Sequence, residues 1–159
     1  MKILITGISG FLGRNLCRIL DKHELFGLGT KEEIINNIQV FNSNYLDKLE
    51  LDIDIVIICH AVVESGTFTV SNKKLFDGNV LLTEKIINKF KDAFVIYIST
   101  VSVYDNNLDI IKESSNINPQ SNYSLSKLCI PILQFFSSAC TIASIFFIDH
   151  HFFEDFNYQ

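Results

Sequence analysis

Short apolar runs alternate along this chain with amphipathic stretches of helical period, and the alternation predicts its architecture. Residues 2–6 (KILIT) form a continuous apolar run, as a central parallel strand buried on both faces requires. Glycines follow, then a helical pattern with Leu12, Leu16, Ile19 and Leu20 on one stripe. Residues 24–28 read as a second strand, 32–37 as a short helix and 38–41 as a third strand. Residues 54–59 (DIVIIC) make a strong fourth strand. A helix over 75–90 carries Val80, Leu81, Ile86, Ile87 and Phe90 at helical spacing. Residues 94–99 (FVIYIS) are a fifth strand, 123–136 a helix and 142–148 a sixth strand. Such alternation means βαβ units with right-handed crossovers, hence an α/β, doubly wound parallel sheet of about six strands. No internal repeat, low-complexity tract or linker interrupts the pattern, so residues 1–159 are expected to form a single domain.

Composition narrows the function classes. Apolar residues make up 48% and charged residues 19%, the balance of a soluble globular protein with a full core. The formal net charge is -5 and no basic cluster could track a phosphate backbone, which argues against nucleic acid as a partner. Cys17, Cys59, Cys129 and Cys140 have no metal-ligand spacing and read as small thiols in a reducing cytoplasm. His150 and His151 are adjacent, so on a regular element they diverge. Residues 129–148 carry no charge over about a bilayer's length, but Pro131, Gln134, Ser137, Ser138, Thr141 and Ser144 dilute them. A buried helix leading into a buried strand explains that stretch better than a membrane span. Gly7, Gly10, Gly13 and Arg14 likewise break the opening run too early for a signal peptide.

The first turn carries the first chemical signal. Thr6-Gly7-Ile8-Ser9-Gly10-Phe11-Leu12-Gly13 directly follows a strand and opens a helix. In that setting Gly7 permits a tight turn, Gly10 lets backbone approach a pyrophosphate, and Gly13 lets helix and strand pack closely. The helix N-terminus offers N–H groups and a positive dipole end to phosphates. A dinucleotide site of this kind often places a carboxylate after the second strand, where it accepts from ribose hydroxyls. Here Gly29, Thr30 and Lys31 occupy that place, and a hydroxyl beside a cation suits a 2′-phosphate. The expected cofactor is therefore NADP or NAD, with NADP favoured.

The second signal is Tyr123-Ser124-Leu125-Ser126-Lys127, which puts a phenol and an ammonium one turn apart on one helix face. A nearby ammonium favours phenolate and should lower the Tyr123 pKa, fitting it to exchange a proton with a substrate hydroxyl. The strand-end segment Ser99-Thr100-Val101-Ser102-Val103-Tyr104 and the later Glu113 and Pro119 accompany it.

Together the T-G-x-x-G-x-x-G turn, the S-T-x-x-V-Y strand end and Y-x-x-x-K resemble the short-chain dehydrogenase/reductase family. The Gly10-Phe11-Leu12-Gly13 ending is similar to its extended branch, the NAD-dependent epimerase/dehydratases of nucleotide sugars. The resemblance runs from Met1 to about Lys127 and implies a Rossmann-like NAD(P)-binding domain. It assigns catalysis to Thr100, Tyr123 and Lys127. It assigns cofactor binding to Gly7, Ser9, Gly10, Phe11, Leu12, Gly13, Thr30, Lys31, Ala61, Val62 and Asn79, with Tyr123 and Lys127. Asn79, in NVLLTEKII, stands where the family holds that helix and a nearby water.

The implied activity is Tyr/Lys-assisted hydride transfer on a nucleotide-linked sugar by an epimerase, dehydratase or reductase. The alternative is a shortened dinucleotide-binding homologue without turnover. His60 stands at a displaced register from the family's H-L-A-A-like segment, which puts a cofactor role for it in doubt. After residue 148 neither the family's R-x-x-N-x-Y-G-P-like loop nor its substrate domain is found, so a shortened member is expected. Phe152, Phe153 and Phe156 in the tail favour self-association or a partner. Family members dimerise through the helices carrying Asn79 and Tyr123. Cys129, Leu133 and Phe136 suit such a homodimer face and suit core packing equally well.

Overall fold

A computed structural model describes residues 1–63, 70–105, 110–135 and 142–145. Strand β1 (Lys2–Thr6) leads through the glycine turn into helix α1 (Phe11–Ile19) and then β2 (Glu24–Gly29). Next come β3 (Glu33–Ile35), β4 (Ile38–Asn42), a 3₁₀ segment (Ser43–Lys48) and β5 (Ile55–Ile58). Helix α2 (Asn72–Phe76) runs through a π-helical turn (Asp77–Leu81) into α3 (Leu82–Lys89), and β6 (Phe94–Ile98) follows. A 3₁₀ turn (Val101–Val103), α4 (Asn122–Phe135) and β7 (Ile142–Ile145) complete the described elements.

The sheet has seven strands in the order β3-β4-β2-β1-β5-β6-β7, all parallel to their neighbours except β3. The chain leaves β1 toward β2 and returns on its other side at β5. Their carboxyl ends therefore flank the point where winding reverses, where open α/β sheets keep their ligand crevice. Period-two alternation explains the two cores. In β1, Leu4 faces the cluster with Val56, Ile86, Val95 and Ile130, on the side of α3 and α4. Its neighbours Ile3 and Ile5 face Ile8, Cys17 and Val40, on the side of α1.

One element departs from the sequence pattern. The short helix expected over 32–37 is instead an edge hairpin, with β3 antiparallel to β4. Asn36 and Asn37 both have positive φ, 51° and 66°, the backbone a tight two-residue hairpin turn demands. Asparagine tolerates that region, whereas six residues are too few to offset the cost of nucleating a helix. The expected sixth strand begins on time at Ile142, but residues beyond 145 lie outside those described, as do His150, His151 and the tail phenylalanines. No helix among the described residues is long and apolar enough to cross a membrane.

Candidate active site

Gly7 makes the first turn at φ +65°, and a Cβ there would stand 2.9 Å from the backbone of His60. Glycine is thus required twice over, by conformation and by the close approach of the β5 end. A Cβ on Gly13 would come within 2.5 Å of the Gly7 carbonyl oxygen and 2.6 Å of the Ile8 Cα, so helix and turn touch backbone to backbone. Gly13→Ala should accordingly lower stability by about 1–3 kcal/mol, seen as an earlier urea midpoint. Gly10→Ala, whose Cβ would meet only the Gly7 oxygen at 3.1 Å, should cost clearly less. Gly10 is the N-cap of α1 and has no side chain to cap it. A helix N-terminus left this open fits an anionic group such as pyrophosphate.

From this turn a groove of about 800 Å³ extends along the strand ends, past Ser9, Thr30, Asn44, Ala61 and Val62. Lys31 does not line it. Its ammonium sits 3.1 Å from the Glu33 carboxylate, well exposed on the edge hairpin. Asn79, expected beside a cofactor, is buried in the π turn with its amide committed. Its Oδ1 accepts from the Val62 N–H at 2.6 Å, and its Nδ2 donates to the Val62 carbonyl at 2.9 Å and to Ser126 Oγ at 3.0 Å. Asn79 thereby fixes the backbone of a groove-lining residue and ties it to α4. The Ser126 hydroxyl donates in turn to the Tyr123 carbonyl at 2.7 Å, so one chain of bonds connects groove wall and helix.

His60 also lines the groove, and its ring is a three-way clamp. Thr6 Oγ1 already accepts from the N–H groups of Cys59 (3.1 Å) and His60 (3.3 Å), so its own hydrogen is directed to His60 Nδ1, 2.7 Å away. That assigns the hydrogen of the neutral ring to Nε2, which donates to the Gly78 carbonyl at 3.1 Å and lies 3.2 Å from Thr83 Oγ1. Burial, helped by the positive charge of Lys127, pushes the His60 pKa down to about 4. The imidazole is a neutral brace between β1, β5 and the π turn, and this is a role its displaced register gave no hint of.

The three residues expected to be catalytic come from two elements. Thr100 ends β6 and caps the 3₁₀ turn, accepting from Ser102 N–H at 3.3 Å. Its own hydrogen goes to Ser102 Oγ at 3.2 Å, and its hydroxyl opposes part of the rise in the Tyr123 pKa. Lys127 lies one turn along α4 and is only 3% exposed. Its Nζ stands 4.3 Å from the centroid of the Tyr97 ring, and it makes no hydrogen bond or ion pair with a described residue. Burial lowers its pKa to about 8, against an upward pull from the Cys59 thiol. Burial likewise pushes the Cys59 thiol up to about 12. Thus α4, which carries Tyr123 and Lys127, packs on the strand-end turn that Thr100 caps, and the Lys127 cation is buried over Tyr97 one turn beyond the phenol.

One electrostatic expectation is corrected. The Tyr123 pKa is raised, not lowered, because burial of the phenol outweighs the effect of the Thr100 hydroxyl. The ammonium expected to depress it is stacked over Tyr97 instead. Ser99, at the tip of β6, is buried, and its Oγ has no hydrogen-bond partner. A buried hydroxyl left unpaired costs about 1–3 kcal/mol, and such costs concentrate where a ligand completes the structure. The open N-cap at Gly10, the unpaired Ser99 hydroxyl and the unpaired Lys127 ammonium fit a phosphate- and hydroxyl-bearing cofactor. No cluster of metal-ligating side chains occurs among the described residues.

The chain is similar to several known proteins. GDP-6-deoxy-D-talose 4-dehydrogenase of Aggregatibacter actinomycetemcomitans is 30% identical over 143 residues, covering 82% of this chain and 46% of that protein. A hypothetical dTDP-4-dehydrorhamnose reductase from Sulfolobus tokodaii is 26% identical with a TM-score of 0.71, over 91% of this chain and 55% of its own. A short-chain dehydrogenase/reductase superfamily protein from Agrobacterium tumefaciens with bound NAD shares the fold, with a TM-score of 0.77 and 18% identity. That match covers 92% of this chain and 48% of that protein. The chain spans about half the length of the relatives it matches. Residues 3–135 match the family model that takes in the glycine turn, the strand-end threonine and the Tyr–Lys pair, and the chain belongs to the NAD dependent epimerase/dehydratase family.

Proposed function

We propose that residues 1–159 form a single dinucleotide-binding domain that performs Tyr/Lys-assisted hydride transfer on a nucleotide-linked sugar. The observation that carries this reading is the buried Lys127 ammonium on α4, one turn from Tyr123, where the helix packs on the strand-end turn that Thr100 caps. The glycine turn, Ser9, Thr30, Ala61 and Val62 hold a nicotinamide dinucleotide along the groove, while Asn79 positions Val62. The dinucleotide, when bound, supplies the hydride acceptor and donor. Thr100 orients the reacting sugar oxygen toward Tyr123. Tyr123 exchanges a proton with the sugar hydroxyl through its phenolate, which burial makes costly to form, and Lys127 supplies a buried positive charge one helix turn away. Sugar-nucleotide names among the relatives support the substrate class.

NADP is the favoured form, since no carboxylate follows β2 at Gly29-Thr30-Lys31. Lys31 must then exchange Glu33 for the 2′-phosphate. Because exposed ion pairs are worth about 0–1 kcal/mol, the exchange is cheap and discrimination against NAD is small. Self-association through the helices carrying Asn79 and Tyr123, where Leu81, Leu125 and Ile132 are exposed, is part of the same reading.

The test is to titrate the purified chain with NADP and NAD by fluorescence, then to follow reduced-nicotinamide absorbance with candidate nucleotide sugars. Tyr123→Phe should slow hydride transfer about 10²–10⁴-fold while the cofactor still binds, since the groove keeps its other contacts. Binding without turnover in the wild type would mark a dinucleotide-binding protein with no chemistry of its own. Absence of binding would reject the reading altogether.

A further inference from the structure

Tyr97 is wholly buried in β6, flanked by Ile96 and Ile98, whereas the other aromatic residue of the strand, Phe94, is exposed at its start. Volume alone does not account for it, because both its polar and its π surfaces are aimed at one residue. Its hydroxyl donates to the Lys127 carbonyl at 3.3 Å, and its ring lies beneath the Lys127 ammonium at 4.3 Å. The same side chain thus holds backbone and charge of Lys127 at once. We propose that Tyr97 is the positioning residue for Lys127, holding its buried ammonium through the face of its ring and fixing the helix turn that carries it through its hydroxyl.

The physical need is plain. An ammonium this deeply buried, with no carboxylate or hydroxyl partner among the described residues, would otherwise lose its proton or swing toward water. The negative face of an aromatic ring stabilises a cation without neutralising it, and desolvation strengthens the effect. A carboxylate in the same place would tie up the charge, whereas a ring leaves the ammonium's hydrogens free for a ligand. Other titratable groups around the ammonium are Cys59 and His60 from the β5 end and Tyr123 from its own helix. With burial keeping the Cys59 thiol and the Tyr97 phenol protonated and the His60 ring uncharged near neutral pH, none of these offers a full negative charge.

The proposal rests on the reading of Lys127 as part of the chemical apparatus, but its test does not require turnover. Lysine carrying ¹³C at Cε is incorporated into the full chain, and Lys127 is titrated by NMR, its signal assigned by loss in Lys127→Met. Position 97 is then replaced in turn by phenylalanine and by phenylalanines bearing one, two and five ring fluorines. This series keeps the buried shape while draining the negative face. The expected result is a stepwise fall in Lys127 proton affinity, reaching about tenfold or more for the pentafluoro ring. Tyr97→Phe alone should change it little, because the face remains. An unchanged titration across the fluorinated series would overturn the proposal, whatever the hydride-transfer assay reports. A stepwise titration in a chain that transfers no hydride would leave the positioning intact and reject the function.

Discussion

Lys127→Met should make the ligand-free protein more stable while removing its chemistry. Near neutral pH the native state holds this ammonium buried, and its pKa falls from 10.5 to about 8. The sign follows from proton counts. Below pH 8 both folded and unfolded chains keep the proton, so the native state bears the full cost of burying the charge. Between pH 8 and 10.5 the unfolded chain binds more protons than the native one, so stability rises with pH and the cost disappears. A shift of this size corresponds to about 3 kcal/mol, from which the attraction of the Tyr97 ring, about 1–2 kcal/mol, must be subtracted for the variant. Methionine fills similar space without a charge. The variant is therefore expected to gain about 1–2 kcal/mol at pH 7 in urea melts, and the gain should fade above pH 10. Hydride transfer should fall at least about 10²-fold, because the buried positive charge assigned to the reacting centre is gone. An equally stable or less stable variant at pH 7 would mean that the buried charge carries no such penalty.

Acid should weaken the fold through His60, and in a window set by that residue. The unfolded imidazole takes up its proton near pH 6.5, whereas the native ring resists until about 4. Between those values the unfolded state binds more protons, so stability present above pH 6.5 is lost as pH falls toward 4, by about 3 kcal/mol in all. Burial is the main cause, with the Lys127 charge adding to it. A proton on Nδ1 would in addition confront the Thr6 hydroxyl, whose lone pairs already serve two backbone N–H groups. His60→Gln should be less stable than the wild type at pH 7 by about 1–3 kcal/mol, since Thr6 or the Gly78 carbonyl loses its partner. The difference between the two proteins should then shrink as pH drops from 6.5 to 4. A constant difference across that range would show that the imidazole does not stay neutral in the folded chain.

Much of this was legible in the residues, and the failures have identifiable causes. The strands of the parallel sheet announced themselves as apolar runs because they are buried on both faces. Strand end and helix start could be placed from the motifs around Thr100 and Tyr123 because both follow from the fold that the glycine turn implies. The hairpin at Asn36-Asn37 was hidden by apolar spacing too short to separate helix from strand, although two asparagines in succession were a turn signal. Tyr123 was misjudged electrostatically because helical spacing says which side chains share a face and nothing about how deeply they are buried. His60 and Tyr97 act through partners 54 and 30 residues away, Thr6 and the Lys127 carbonyl, and no local pattern encodes such pairs. A tyrosine amid aliphatics in a central strand was nonetheless a clue, since a buried phenol needs a partner.

The wide turn at Asp77–Leu81 bears on what lengths of chain this domain can accept. Leu75, Asn79, Thr83 and Ile87 are all buried at intervals of four residues. In an unbroken α-helix each such step drifts by about 40°. The extra residue absorbed by the π turn takes up part of that drift and keeps an amide, a hydroxyl and two hydrocarbon chains on one inward line. Homologues lacking that insertion would have to rotate one half of the helix against the other. The segment is therefore free to vary in its outward residues but held to a fixed count, because a single deletion would turn Asn79 from Val62 or swing Ile87 out of the core.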